Sequence, residues 1–301
     1  MSKNTTLVIL AVWIAAGVLA GAVYAGNTPS KTSDPGEVYS RVVALGPLIT
    51  DMIYLLEADN RLVGVTSYCT IPEGTEKKEI IGTVMQMNVE KIVSLRPDAV
   101  FASTLTRPKQ IQSLRNQGIR VIKFNNPTHF DGICEMFLNI GKLLGRTRHA
   151  QQLINQTREQ VSAIAEKAKD LPKRSVFIQI GLKPLKTSEQ GTFISNYIEL
   201  AGGSNIARVR AAGVYNRENV LKENPDVILV ATMGSSRKAA EKEKDRWMTF
   251  GMLKAVQSRE VHVLDPDIVC SPTPVTFVKA LEAFYACIHP QGVSPVSGGT
   301  Q

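Results

Sequence analysis

A short segment occurs twice in this chain of 301 residues, once in each half. Glu90 stands seven residues before Pro97-Asp98 in the first copy, and Glu218 stands seven before Pro225-Asp226 in the second. Each copy predicts a helix that starts with a carboxylate, which suits the positive end of the helix dipole. The proline then ends the helix, and an apolar strand follows. One copy alone is compatible with an ordinary turn. Two copies in register predict two halves of the same architecture, each presenting one acidic residue to a two-fold symmetric partner.

Short apolar runs alternate with helical stretches in both halves, which predicts an α/β fold with mainly parallel sheets. We expect Thr50 to cap the first helix and the charged run at 237–246 to form an exposed helix or loop. Further helices are expected at 193–200, which glycines follow, and at about 275–288. The expected strands are 41–45, 62–65, 99–102, 121–124, 176–180, 227–230 and 261–264.

Residues 147–170 separate the two halves and contain neither glycine nor proline. Thr147 is the expected N-cap of a long helix, and Pro172 is the expected stop. The plain interpretation is a surface helix, but its mid-chain position favours a rigid connector between two Rossmann-like lobes. The expected organisation is a signal peptide or N-terminal anchor at 1–25, a linker at 26–40, an N-terminal lobe at 41–146, the connecting helix at 147–170, a C-terminal lobe at 171–290 and a disordered tail at 291–301.

The N-terminus has the pattern of an export signal. Lys3 precedes an apolar run at 7–23, and Val23-Tyr24-Ala25 places small residues where a signal peptidase reads them. The run is also long enough to remain as a membrane anchor. The first cysteine is Cys69, which argues against lipid attachment beside the run. In either case we expect the rest of the chain to lie outside the cytoplasm, in a periplasm or its equivalent.

Composition narrows the functional classes. The net charge of +8 comes from basic residues scattered along the chain, so nucleic-acid binding is not expected. Four cysteines allow three disulfide pairings, among which the sequence does not choose. Four dispersed histidines argue against a zinc site, and no hydrolase, nucleotide-binding or metalloprotease motif predicts an enzyme.

Several segments together resemble one family, the periplasmic binding proteins for iron-siderophores, haem and cobalamin. The resemblance covers roughly residues 41–290 and depends on the order and spacing of its pieces. The matching segments are 41–47, 63–69, 81–82, 88–90, 96–98, 141–145, 199–205, 224–226 and 261–267.

The resemblance implies a binding protein and not an enzyme. Such proteins hold their ligand in a cleft between two lobes, and the long connecting helix limits how far the cleft opens. One glutamate of each lobe contacts arginines of the ABC permease dimer, and by position these are Glu90 and Glu218. Cytoplasmic ATPase subunits do the chemistry, so a monomer without an intrinsic cofactor is expected.

The resemblance also implies which residues line the cleft. Tyr68 falls in a loop that lines it in cobalamin-binding relatives, where an aromatic face packs on a flat macrocycle. Val84 and Ser103 stand where those relatives have tryptophans. The arginine often found after the last strand is missing from 267–274. The expected cleft residues are Tyr68, Met85, Ser103, Ile180, Met233, Asp267 and Ser271.

Two methionines favour haem among the possible chelates. Met85 resembles an axial methionine of some haem-binding relatives, and Met233 stands where one relative places an axial histidine. Thioether sulfur is a ligand that haem iron accepts, although methionine is also a common filler of apolar surfaces. The ligand therefore stays open among an iron-siderophore, haem and a corrinoid. The alternatives are an envelope sensor or chaperone for such a chelate without a permease, and a protein that binds free metal ions.

Overall fold

The strands form two separate sheets, each with helices packed on its faces. The structure is a computed structural model that describes residues 37–207, 215–233 and 236–290. The predicted signal segment, the predicted tail and most of the predicted linker lie outside the described residues. The predicted fold class, two α/β lobes joined by one long helix, is confirmed.

The first lobe contains a five-stranded, fully parallel sheet in the order β3-β2-β1-β4-β5. Its central strands are continuous apolar runs because helices cover both faces. The strands are β1 (Val42–Leu45), β2 (Leu62–Val65), β3 (Glu79–Ile80), β4 (Ala99–Ser103) and β5 (Val121–Phe124). The helices are α1 (Pro47–Leu55), α2 (Val89–Ser94), α3 (Pro108–Asn116) and α4 (Phe130–Leu143), and α5 (Thr147–Lys169) leads out of the lobe.

The second lobe is built on a sheet in the order β10-β9-β6-β7, with β8 also paired to β6. All its pairings are parallel except that of β6 with β7. The strands are β6 (Arg174–Gly181), β7 (Lys186–Thr187), β8 (Gly203–Asn205), β9 (Val227–Val230) and β10 (Val261–Val263). The helices are α6 (Phe193–Leu200), α7 (Arg217–Glu223), α8 (Arg237–Met248), α9 (Lys254–Gln257), α10 (Pro266–Val269) and α11 (Pro274–Ile288).

One apolar core is shared by the two lobes. Because successive strand residues face opposite sides of a sheet, Val42 of β1 and Val176 of β6 belong to this shared core. Their neighbours Val43 and Phe177 contribute to two further cores, one in each lobe. Helices α4, α5, α6 and α11 close the shared core. The lobes are therefore held together by buried apolar surface as well as by the chain that joins them.

The connecting helix begins and ends almost where the sequence predicts. Thr147 is its first residue and not its cap; the N-cap is Arg146, whose guanidinium donates to the Glu57 carbonyl at 2.7 Å. Asp170 caps the C-terminus, and Pro172 follows soon after. On α5 the residues Ala150, Ile154, Thr157 and Val161 are buried against both lobes.

The repeated segment has the same local structure in both lobes. Helices α2 and α7 begin at asparagine caps, where the side chains of Asn88 and Asn216 accept from the backbone N–H three residues on. The repeated glutamate is the second residue of each helix. Each segment then turns through a left-handed residue directly before the proline, Arg96 with φ 47° and Asn224 with φ 45°. The internal repeat is therefore a structural one.

The aspartate after each proline ties the segment to the first strand of its lobe. Asp98 accepts from the backbone N–H of Arg41 at 2.9 Å, just before β1. Asp226 accepts from the backbone N–H and the hydroxyl of Ser175, at 2.8 and 2.7 Å. Burial alone would raise the pKa of Asp226, but the Ser175 hydrogen bonds together with the charges of Lys254 and Arg174 outweigh it and lower that pKa. The repeated Pro-Asp pair of each half thus fixes where two parallel strands start.

Three expectations need correction. Thr50 does not cap α1, because Gly46 is the N-cap and Pro47, which lacks an N–H, occupies the first turn. Tyr39, within the predicted linker, is 2% exposed and packs edge-on against Phe101, so the folded region starts before residue 41. Strands β3, β7 and β8 were not predicted, because two or three residues carry no periodic signal. No helix of the described segments is both long and apolar enough to cross a membrane.

The shared core predicts how stability responds to a single deletion. Phe277 of α11 is fully buried and stacks on Phe130 of the first lobe, with ring centroids 4.8 Å apart. Phe277→Ala should lower the free energy of unfolding by about 3–5 kcal/mol, measured by urea denaturation. Leu105→Ala, at an exposed leucine, should change it by less than about 0.5 kcal/mol.

The same core predicts that both lobes unfold in one step. In a Trp13→Phe background, Trp247 fluorescence reports on the second lobe and far-UV circular dichroism reports on the whole chain. The two urea curves should coincide because unfolding of either lobe exposes the core that both share. Two separated transitions would show that the lobes unfold independently.

Candidate functional site

Each sheet has one point between two parallel strands where the order in which the chain adds strands to the sheet reverses. In the first sheet this point lies between β1 and β4, and in the second between β6 and β9. The connections that leave such strands go to opposite sides, which opens a crevice beyond their carboxyl ends. These two edges are where a ligand site is expected from topology.

Exposed apolar side chains concentrate at the carboxyl ends of strands. Tyr68 follows β2, Met85 follows β3, Leu105 follows β4 and Met233 follows β9; they are 71%, 53%, 63% and 57% exposed. Among the described residues they are four of the five large apolar side chains that are more than half exposed, and the fifth is Met252. Exposed apolar side chains grouped at strand ends are typical of binding sites.

Met85 stands at the tip of a tight turn. The Thr83 N–H donates to the Gln86 carbonyl, and the Gln86 N–H donates to the Thr83 hydroxyl at 2.9 Å. Gly82 starts the turn with φ 100°, and a Cβ there would lie 2.4 Å from the Gln86 oxygen, so only glycine fits. Gln110 of α3 donates to the Met85 carbonyl at 2.8 Å. The backbone therefore holds Met85 in place while its side chain stays exposed.

A cavity of about 740 Å³ opens at the edge of the second sheet, between β6, the β6–β7 connection and α8. Ile180 and Met233 line it, and the Met233 N–H donates to the Ile180 carbonyl at 3.1 Å. Tyr68, Met85 and Ser103 do not belong to its lining. Of the seven predicted cleft residues, the structure thus brings only Ile180 and Met233 into one cavity.

Ser103, which was expected to line the cleft, is buried at the strand end. It is the last residue of β4, and its hydroxyl accepts from the Leu105 N–H at 3.3 Å. Its neighbour Leu105, which the sequence analysis did not select, is the exposed side chain at this strand end. The hydroxyl therefore holds the turn that presents Leu105.

Ser271 and Asp267 meet the first lobe at Asp51 of α1. The Ser271 hydroxyl donates to Asp51 Oδ2 at 2.7 Å, a direct hydrogen bond between the lobes. Burial raises the pKa of Asp51, the Ser271 hydrogen bond lowers it, and the charge of Asp267 raises it further, with a net rise above 3.8. Sequence reasoning missed Asp51, although its position as a lone acid in the apolar helix PLITDMIYL was a usable signal.

A buried carboxylate connects the cavity wall to α7. Glu243 of α8 is 7% exposed and accepts from Arg217, Arg246 and the Gln179 amide. The Arg217 guanidinium also stacks on the Trp247 ring, 5.1 Å from its centroid. Gln179 in turn accepts from the Trp247 indole N–H at 2.7 Å. Buried charge is tolerated here because both carboxylate oxygens of Glu243 accept hydrogen bonds.

The two glutamates expected to dock a permease are both exposed. Glu90 and Glu218 are the second residues of α2 and α7, and each lies in the first turn after an asparagine cap. Arg217 beside Glu218 is tied to Glu243, whereas Val89 beside Glu90 packs on apolar residues of its own lobe. The two glutamates therefore have equivalent backbone positions, but the residues beside them make different contacts.

The cysteines are free thiols, which answers the pairing question. Burial raises the pKa of Cys134 and of Cys270 to about 12, and that of Cys287 to about 11. Such thiols are protonated and inert at neutral pH. Within 37–207, 215–233 and 236–290, no three His, Cys, Asp or Glu side chains converge as metal ligands would.

Comparison with known proteins places this chain among binding proteins. The profile of the family described as periplasmic binding protein matches residues 42–268. The uncharacterized ABC transporter substrate-binding lipoprotein YvrC of Bacillus subtilis (strain 168) is 32% identical over 258 residues, covering 83% of this chain and 80% of YvrC. The vitamin B12-binding protein of Yersinia pestis (strain Pestoides F) is 32% identical over 202 residues, covering 65% of this chain and 71% of that protein.

Solved structures share the fold. The periplasmic vitamin B12 binding protein BtuF of Vibrio cholerae superposes with a TM-score of 0.73 at 23% identity, covering 85% of this chain and 99% of BtuF. The periplasmic haem binding protein HutB of Vibrio cholerae also has a TM-score of 0.73, at 20% identity, covering 83% of this chain and 99% of HutB. At these identities the likeness concerns the fold.

The junction at Asp51 predicts a dependence of stability on pH. The folded chain keeps the Asp51 proton to higher pH than the unfolded chain does, so the free energy of unfolding falls as pH rises above 3.8. Asp51→Asn should remove this part of the decline, because an amide oxygen still accepts from Ser271 and carries no charge. In urea unfolding measured at several pH values, the free energy of unfolding of the variant should therefore rise relative to that of the wild type as pH rises.

A second variant checks the cause. Ser271→Ala removes the hydrogen bond that lowers the Asp51 pKa, so its stability should decline more steeply with pH than that of the wild type. Parallel curves for the wild type and both variants would contradict the assignment to Asp51.

Proposed function

The chain belongs to the periplasmic binding protein family, and on that premise we propose that it is the substrate-binding subunit of an ABC importer for a metal chelate. The observation that carries this proposal is the set of exposed apolar side chains at the carboxyl strand ends of both lobes. Tyr68, Met85 and Leu105 belong to the first lobe, and Met233 belongs to the second. A binding protein for a large, partly apolar ligand needs such surface on both sides of its cleft.

The shared core supports a cleft that opens only slightly. The lobes contact each other through α4, α5 and α11 and through the Asp51–Ser271 hydrogen bond. Opening the lobes widely would expose the apolar surface buried there. Each Å² of apolar surface exposed to water costs about 25 cal/mol of free energy. Ligand exchange in this protein is therefore proposed to need small motions.

The proposed ligand is haem or a related chelate, with a corrinoid as the second candidate. A curated relative named as a vitamin B12-binding protein favours the corrinoid. Met85 and Met233 favour haem, because both present exposed thioethers at carboxyl strand ends, one in each lobe. Met85 lies on a preorganised turn, which suits a metal ligand that must not move.

Delivery is proposed to involve a permease dimer that contacts Glu90 and Glu218. Both carboxylates are exposed at equivalent first-turn positions, one per lobe, so they can meet two equivalent basic sites of a symmetric partner. We place the protein outside the cytoplasm on the strength of the export-like N-terminus and of relatives named as a lipoprotein and as periplasmic proteins.

Ligand titration tests the proposed function. The chain from Gly26 onward should bind one of haemin, a cobalamin or a ferric siderophore tightly, measured by visible absorbance and tryptophan fluorescence. If haemin binds, Met85→Ala and Met233→Ala should each shift the visible spectrum, because an axial ligand is lost. Met252→Ala removes a still more exposed methionine elsewhere and should leave the spectrum unchanged. Failure of all three ligands to bind would overturn the proposal.

Charge reversal tests delivery separately from binding. Glu90→Lys and Glu218→Lys should reduce uptake in cells about tenfold or more, because each puts a cation against a basic site, while ligand affinity stays unchanged. Glu159→Lys, at an exposed glutamate of α5, is the matched control and should transport normally. Normal uptake by both lobe variants would instead favour a chelate carrier that works without a permease.

A further inference from the structure

The cavity of the second lobe carries an unusual charge for an apolar-ligand site. It lies at the reversal point between β6 and β9, where topology favours ligand binding. Its volume of about 740 Å³ falls within the roughly 300–1,000 Å³ of small-molecule sites. Ile180 and Met233 supply apolar surface, so the cavity suits a molecule with an apolar body.

Four cationic side chains line the cavity from two walls. Lys183 lies on the β6–β7 connection and Lys186 begins β7, whereas Lys242 and Arg246 lie on α8. Lys242 and Arg246 are four residues apart, so they project from one helix face with Cβ atoms about 6 Å apart. All four side chains are exposed and reach solvent within the cavity.

The single acid of the lining pairs with only one of these four cations. Glu243 is already paired with Arg217, which lies outside the cavity lining, and it takes one N–H of Arg246 at 2.8 Å. A guanidinium has five N–H donors, so Arg246 keeps donors for a ligand. Within the described part of the chain, no carboxylate pairs with Lys183, Lys186 or Lys242. The cavity therefore presents a local excess of positive charge with unused donors.

We propose that this cavity binds carboxylate groups of the ligand, and that the transported chelate therefore carries two or more carboxylates. The inference rests on the proposed function and narrows its ligand class. Carboxylates match ammonium and guanidinium groups on both walls, and charged hydrogen bonds are the strong ones. The apolar floor at Ile180 and Met233 takes the body of the same molecule.

This chemistry separates the candidate ligands. Haem carries two propionates, and ferric hydroxycarboxylate complexes are polyanions, so both have the groups that the cavity recognises. Cobalamin presents neutral amides around its ring and a single phosphodiester, so it would leave most of the four cations without partners. The cavity therefore favours a carboxylate-bearing chelate although a curated relative is named for vitamin B12.

Paired ligands and paired variants test the assignment. The full-length protein is titrated with haemin, haemin dimethyl ester, ferric citrate and cyanocobalamin, and dissociation constants are compared at low and high salt. The test variant is Lys242→Gln/Arg246→Gln. The control is Lys244→Gln, which removes one positive charge, against two in the test variant, from another face of α8 outside the cavity lining. Circular dichroism checks that every variant is folded.

The double variant is expected to lose affinity for the carboxylate-bearing probes only. Haemin or ferric citrate should bind the wild type at least about tenfold more tightly than the double variant, and high salt should reduce that difference. If haemin is the better ligand, its dimethyl ester should bind about tenfold more weakly and respond little to the variants. If ferric citrate alone binds, the inference that the chelate carries carboxylates is supported, and the chelate is a ferric hydroxycarboxylate complex. Lys244→Gln should match the wild type.

Two results would overturn the inference, and they are distinguishable from failure of the proposed function. Tight binding of cyanocobalamin with no binding of either carboxylate probe rejects the ligand class but keeps a chelate-binding protein. Equal affinity of wild type and double variant for haemin or ferric citrate rejects the cavity as the carboxylate site. Binding of none of the four probes would reject the proposed function together with the inference.

Discussion

The apolar core shared by the two lobes is the constraint on which the rest of the structure depends. One face of each sheet packs against α4, α5 and α11, so the lobes cannot separate without exposing residues such as Phe130, Tyr197 and Phe277. Polar contacts refine this arrangement: the Asn196 side chain accepts from the backbone N–H that starts α4, and Ser271 donates to Asp51. The relative position of the two carboxyl strand edges follows from this packing, and any site between them inherits it.

Each lobe is organised around the same small device, a capped helix followed by a left-handed residue, a proline and an aspartate. The device sets the start of two parallel strands through the aspartate and leaves one glutamate exposed at the helix start. The lobes differ in what stands beside that glutamate. Val89 packs on apolar residues in the first lobe, whereas Arg217 forms a buried pair with Glu243 in the second. Glu243 also binds Arg246 at the cavity, so one carboxylate connects the cavity wall to α7 in the second lobe.

The carboxyl strand edges of the two lobes differ in chemistry as well. The first lobe presents Tyr68, Met85 and Leu105 on short turns whose backbone is fixed by hydrogen bonds. The second lobe presents Met233 beside a cavity with four cationic side chains. One edge is therefore mainly apolar and the other is basic, which suits the proposed ligand with an apolar body and carboxylate groups.

The amino-acid sequence by itself determined the local structure: the α/β pattern, the long connecting helix, most strand bounds and the repeat that contains Glu90 and Glu218. These follow from short-range rules of periodicity, capping and proline, which act within a few residues and leave a readable pattern. Only the tertiary structure decided that Ser103 is buried, that Ile180 and Met233 share a cavity without Met85, and that Asp51 meets Ser271. It also decided that Lys183 and Lys186 line the same cavity as Lys242 and Arg246. Such groupings depend on which distant segments the shared core brings together, and a hydrogen bond or a charge leaves no periodic trace in the chain. The sequence therefore encodes the elements in readable form, whereas the site exists only once the packing of both lobes has assembled it.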